Sequence, residues 1–271
     1  MPDFFCQFRF LKGKHVGARP TSHKLMLHRR FALLLGVAAV CAAATQARAG
    51  IYGQFSDIAP GTYQAGDNLR FSLDRYQNGF LLRFAGQPEV FVLYANFGSL
   101  GGRVLQYDNG SIALQVAGWG GMTVYTDDHP DGLPTSRVGD STPPSLPQIS
   151  MQQMQNAADD ETAHLSYVRG LHIGFLADPN AVSDNGVRAL AFDAMENAAR
   201  GIDRFTTNSN GRNIFSQRVA SVRLQLNDRT FIKITDRVLT VTFNPHTGYA
   251  GRASSRAIAT ALGKMFGIPA N

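Results

Sequence analysis

Between Gly118 and Gly132 the chain gathers most of the chemistry it can offer. Gly118-Trp119-Gly120-Gly121 is followed by Tyr125-Thr126-Asp127-Asp128-His129-Pro130-Asp131-Gly132. Asp127, Asp128, His129 and Asp131 place three carboxylates and an imidazole within five residues. Such a set can bind a hard cation through oxygen ligands, or offer an acid and a base to a substrate. It also suits a plain loop, in which Asp side chains turn back onto backbone N–H groups. Trp119, the only tryptophan, can touch a ligand or lay its ring over a sheet. The candidate ligand-binding set is therefore Trp119, Tyr125, Asp127, Asp128, His129 and Asp131, with no metal, no cofactor and no catalytic residue assigned.

Other pairings carry less. Asp160 and His164 are four apart on a predicted helix and share a face, as ligands or an oriented base would, but a solvated helix face explains them as well. His172 lies in an apolar run and reads as a hydrogen-bonded core histidine. His246, in Asn244-Pro245-His246-Thr247-Gly248, reads as a turn residue. Asp178 to Gly186 departs from a calcium loop at Val182 and Ser183 and reads as a turn leading into a helix. Phosphate-loop, dinucleotide and zinc-protease signatures are absent. Ser99 lacks the glycine of a nucleophile elbow, because Phe97 stands in its place.

The first 49 residues belong to a different problem. Arg29 and Arg30 precede a 14-residue apolar run, Phe31 to Ala44, and Ala47-Arg48-Ala49 follows. That is the three-part pattern of a cleaved signal peptide, and the run is shorter than the roughly 20 residues that span a bilayer. Cleavage is expected between Ala49 and Gly50, with Met26 an alternative start of more ordinary proportions. Bulky Val40 before Cys41 speaks against a lipid anchor. The precursor's net charge of +6 comes from this leader, which holds eight of the 26 basic residues; the rest of the chain has 18 basic and 19 acidic. Bulk charge therefore gives no support to nucleic-acid binding. Both cysteines, Cys6 and Cys41, also fall in the leader, so the mature chain has no thiol.

The elements that must position the candidate loop are strands. From Leu69 to Thr126 the apolar pattern has period two, with turns at Tyr76-Gln77-Asn78-Gly79, Gly86-Gln87-Pro88, Gly98–Gly102 and Asp108-Asn109-Gly110. Six short strands in a meander follow, as an open sheet or a small barrel. Residues 132–150, with Pro134, Pro143, Pro144 and Pro147, read as a linker between a β-rich domain at 50–131 and an α+β domain at 151–271. Ser150 caps a predicted helix that Gly170 stops. Leu171–Leu176 reads as a strand, and Val187–Phe205 carries a helical stripe with Arg188 facing away. Strands around Val222–Leu226, Ile232–Ile234 and Leu239–Phe243 are expected to form an antiparallel sheet, and Ser254–Phe266 a last helix. The fold class is α+β.

The stretches Leu69–Val92, opening LRFSLDRYQNGFLLRFAGQPEV, and Gly118–Pro134, GWGGMTVYTDDHPDGLP, resemble a family of uncharacterised exported bacterial proteins, a domain of unknown function. The resemblance implies a periplasmic or secreted protein and brings no catalytic residues. The expectation is a non-enzymatic envelope protein whose strand-rich half binds an unknown envelope ligand or protein. It has no nucleic-acid partner and no transmembrane segment in the mature chain. A hydrolase of an envelope polymer, using Asp127, Asp128 or His129, is the alternative.

Overall fold

The period-two stretch closes into a barrel in the computed structural model, which describes residues 58–268; the leader expected at 1–49 lies outside the described residues. Its strands are β1 (Gly61–Ala65), β2 (Leu69–Tyr76), β3 (Gly79–Phe84), β4 (Phe91–Phe97), β5 (Arg103–Gln106), β6 (Ile112–Val116), β7 (Met122–Val124) and β8 (Leu133–Gly139). Each pairs antiparallel with the next, and β8 returns to β1. Alternation sends Phe71 and Leu73, then Phe80, Leu82 and Phe84, into one buried cluster that fills the interior. Tyr63 stacks on Phe71 with ring centroids 5.3 Å apart.

Two of the eight strands were not expected from the sequence. β1 offers only Tyr63 as a large apolar side chain, and β8 begins inside the proline-bearing stretch read as a linker. Pro134 is tolerated because it pairs with Thr123 of β7 but lies beyond the β1 register, which ends at Thr135, so its missing N–H breaks no bond to β1. After Gly139 no further element forms until the helix at Met151, and Ser141 donates to Asp74 on the barrel's outer face at 2.5 Å. At the Asn-Gly turn it is Gln77 that takes positive φ, at 48°. Gly79 is required for a different reason: a Cβ there would strike the Leu93 carbonyl of β4.

The second half comprises α1 (Met151–Arg169), β9 (Gly174–Ala177), α2 (Pro179–Ser183), α3 (Asn185–Thr206), α4 (Ser209–Arg218), β10 (Ser221–Leu226), β11 (Ile232–Thr235), β12 (Val238–Phe243), a 3-10 segment at Pro245–Gly251, and α5 (Ser255–Phe266). Ser150 and Gln153 form a capping box at the start of α1, and Gly170 ends it in the left-handed conformation. The sheet is mixed, in the order β11-β12-β10-β9, with β9, β10 and β12 parallel and only β11 antiparallel. The expected all-antiparallel sheet fails because alternation fixes which face a strand buries and not which strand it pairs with. The turn at Asn227-Asp228 leads β11 past β12 to the sheet edge. The second core is built on α3, whose Leu190, Ala194, Ile202 and Phe205 are buried.

Two polar residues depart from their expected places. Arg188 is buried, not solvated: its guanidinium donates to the Val182, Ser183 and Ile149 carbonyls and to Asn185. His172 is exposed ahead of β9, with Nδ1 3.2 Å from Ser166 Oγ, because β9 starts only at Gly174.

The described residues lie in one unit, and the barrel is fastened to the second half by polar contacts. Buried Arg252 pairs with Asp193 and donates to the Val90 and Tyr249 carbonyls. Asp108 accepts from Ser254 N at 2.7 Å and from its hydroxyl, while Glu89 accepts from Ser255 N at 2.8 Å and Oγ at 2.6 Å. Two barrel carboxylates thus occupy the N-terminus of α5, where free N–H groups and the helix dipole favour anions. Tyr76 Oη donates to Thr247 O and accepts from Tyr249 N, both at 3.0 Å; a Cβ at Gly248, where φ is 55°, would strike that hydroxyl.

Candidate functional site

In a meander, successive turns fall at alternate ends of the barrel. The β1–β2, β3–β4, β5–β6 and β7–β8 connections therefore share one end, and a cavity of about 420 Å³ opens there. Its apolar wall is Leu69, Phe84, Phe91 and Leu133, the last layer of the barrel interior. Its polar rim includes Asn68, Asp127, Asp128 and His129 from the barrel loops, with Arg204 of α3 and Arg256 of α5.

Asp127 is the centre of this rim. One carboxylate oxygen is bound by Arg204 and the other lies 2.8 Å from Arg256 Nη2. Partial burial alone would raise its pKa, but the charges and hydrogen bonds of Arg256 and Arg204 outweigh burial and hold the carboxyl below its usual range. The Arg256 guanidinium also stacks 4.5 Å above the Tyr107 ring. Burial pushes the Tyr107 phenol up to about 12, and its hydroxyl has no hydrogen-bond partner among the described residues.

A second cavity of about 620 Å³ adjoins the first, sharing Gln87 and Arg204. Glu89, Glu161, His164 and Arg200 line it. Burial raises the Glu89 carboxyl above its usual range against the opposing hydrogen bonds of Ser255, and burial followed by the neighbouring Glu196 charge raises Glu161. Glu89 is 4% exposed, so it faces this space from within the wall.

Of the residues singled out in the sequence, Asp127, Asp128 and His129 line the first cavity. Tyr125 and Asp131 belong to the same loop but not to the lining; Tyr125 Oη donates to Gln115 at 3.0 Å. Backbone bonds between Thr126 and His129 close the loop on itself. Trp119 stands at the opposite end of the barrel and is 82% exposed, so its ring does not lie over the sheet. His164 lines the second cavity without Asp160. Among the described residues no three His, Cys, Asp or Glu side chains converge as a metal-ligand set.

The arginines were missed because they lie far along the chain from the loop they hold. One signal was legible. Arg256 is a cation in the first turn of α5, where the helix dipole disfavours positive charge, and Asp127 supplies the compensating anion.

Residues 52–262 match the model of a family described as a domain of unknown function, DUF4908. The chain belongs to that family. Both stretches that carried the resemblance fall within the matched residues, as do the barrel and both cavities of this DUF4908 domain. Searches of curated proteins and of solved structures each found no match.

Proposed function

We propose that this DUF4908 protein is an exported, non-enzymatic binding protein of the bacterial envelope, which holds a small amphipathic molecule at the open end of its barrel. The observation that carries the reading is the composition of the first cavity: an apolar wall of Phe84, Phe91 and Leu133 beneath a rim of fixed charge at Asp127, Arg204 and Arg256. Its size lies within the range of about 300–1,000 Å³ usual for small-molecule sites, and an apolar wall with a few convergent polar groups is their common chemistry. The export signal expected at residues 31–49 supports the compartment. No helix among the described residues is long and apolar enough to cross a membrane.

Titration with the neutral fluorophore N-phenyl-1-naphthylamine tests the cavity. Saturable binding is expected, and Gln87→Trp on the exposed rim should abolish it while Tm stays within a few degrees. Binding that is absent, or unaffected by Gln87→Trp, removes the reading.

A second reading, hydrolysis of an envelope polymer, is favoured by one observation. Glu89 and Asp127 are carboxyls with opposed pKa shifts in adjoining cavities, a pattern that separates an acid from a base. Asp127, held ionised between two arginines, is unsuited to donate a proton, so the acid would be Glu89. Release of reducing ends or amines from peptidoglycan, lost in Glu89→Gln, would favour the hydrolase. No release by the intact protein counts against it.

A further inference from the structure

The β4–β5 and β6–β7 turns meet at the end of the barrel away from the cavity. A Cβ on Gly118 would lie 2.7 Å from the Leu100 carbonyl, so the turns are in contact. Three large apolar side chains project from them, Phe97 at 69%, Leu100 at 86% and Trp119 at 82% exposed. Leu100 is held at φ 53°, ψ 39°, a left-handed conformation that a leucine adopts only at an energetic cost, and its side chain gains no burial in return. Glycines flank all three, at positions 98, 101, 102, 118, 120 and 121.

We infer that this end of the barrel docks on a lipid surface, with Phe97, Leu100 and Trp119 entering the interfacial layer. Shape separates a lipid from a protein here: the three side chains stand out from two neighbouring turns, each at least two-thirds exposed, and among the described residues they line no groove that a partner side chain would fill. A lipid surface needs no shape match and accepts a few apolar side chains on a convex tip. Charge points the same way. The segments Asn96–Arg103 and Ala117–Gly121 contain no carboxylate, and their one charged residue is the cation Arg103, which lies 4.7 Å over the Phe97 ring. Asp140, which leaves β8 at the same end, is paired with Arg137, so these turns present no unpaired carboxylate to anionic headgroups. Tryptophan is the side chain most at home at that depth.

The chain's single tryptophan makes the test local. The purified full chain is mixed with vesicles of phosphatidylglycerol and phosphatidylethanolamine, and Trp119 emission is read with and without brominated acyl chains. A blue shift, quenching by bromine and protection from aqueous acrylamide are expected. Binding through the apolar run at 31–44 alone would leave all three unmoved. Leu100→Gly relieves the left-handed leucine, so its Tm should hold or rise while its vesicle affinity falls about tenfold, as removing one inserted side chain implies. Unshifted emission in the wild type, or equal vesicle affinity for Leu100→Gly, overturns the inference and leaves a protein as the occupant.

Discussion

The connections at one end of the barrel, β1–β2, β3–β4, β5–β6 and β7–β8, carry Asp67, Glu89, Asp108, Asp127, Asp128 and Asp131. Those at the other end, Gln77-Asn78, Gly98–Gly102 and Ala117–Gly121, carry no charged residue. A meander sends odd and even connections to opposite ends, so a bias between them in sequence becomes a polarity of the folded object. At the charged end, three carboxylates are engaged by the second half: Glu89 and Asp108 at the start of α5, Asp127 on Arg204 and Arg256. At the uncharged end, Tyr76 docks on the 3-10 segment while Phe97, Leu100 and Trp119 stay bare. One end therefore commits carboxylates to holding the second half, with Glu89 alone of them buried, while the other leaves three large apolar side chains exposed, the kind of patch that marks an interaction surface.

The largest break in this comparison is expected at Arg252. It is 4% exposed and links both halves through Asp193 and the Val90 carbonyl. Arg252→Met would leave a carboxylate and two carbonyls short of a donor, a loss of about 3–5 kcal/mol. At about 2–4 °C per kcal/mol for a domain of this size, the Tm should fall by roughly 10 °C. A fall of only a degree or two in a thermal melt would mean that the halves are held by something else.

The parity of the loops was legible in the residues, and so was the meander, because alternation and turn chemistry are local. The closure was not. β1 and β8 are the strands that make a sheet into a barrel, yet β1 reads as Gly-Thr-Tyr-Gln-Ala and β8 begins Leu-Pro, so neither shows a run of inward apolar residues. The same limit applies to the site. Asp127, Asp128 and His129 stood out by density, whereas Arg204 and Arg256 are 77 and 129 positions beyond Asp127 and lie on two helices. Trp119 was grouped with Asp127 by closeness in sequence, but the β7 strand between them carries them to opposite ends.

Glu89 and Asp127 sharpen the comparison within the charged end, because their pKa shifts have opposite signs. Folded Glu89 holds its proton more tightly than the unfolded group, near 4.5, so the stability of its neutral form is complete below that pH and is lost as pH rises through the folded value. Glu89→Gln should cost about 1–2 kcal/mol, with the deficit largest in acid and shrinking above pH 4.5. Asp127 runs the other way. Its contribution is present above 3.8 and is lost as pH falls through its lowered value. Its side chain is 47% exposed, so solvent screening keeps the loss in Asp127→Asn to about 1 kcal/mol or less. Denaturant melts of both variants from pH 3 to pH 7 should therefore give deficits that change in opposite directions, and parallel curves would refute the assignment.

The smallest effect belongs to the uncharged end and has the reverse sign. Leu100 in the left-handed region costs about 1–2 kcal/mol, and the greater unfolded-state freedom of glycine returns about 0.5–1 kcal/mol of that. Leu100→Gly should thus raise stability by about 1 kcal/mol or less, a Tm gain of at most a few degrees. Every engaged residue at the charged end should lose stability on substitution, while this one should gain it. A strained, exposed leucine whose removal stabilises the fold is kept for some reason other than folding, since most proteins can reach greater stability and forgo it where function requires. If Leu100→Gly instead lowers the Tm, the leucine supports the turn, and the contrast between the two ends reduces to one of charge alone.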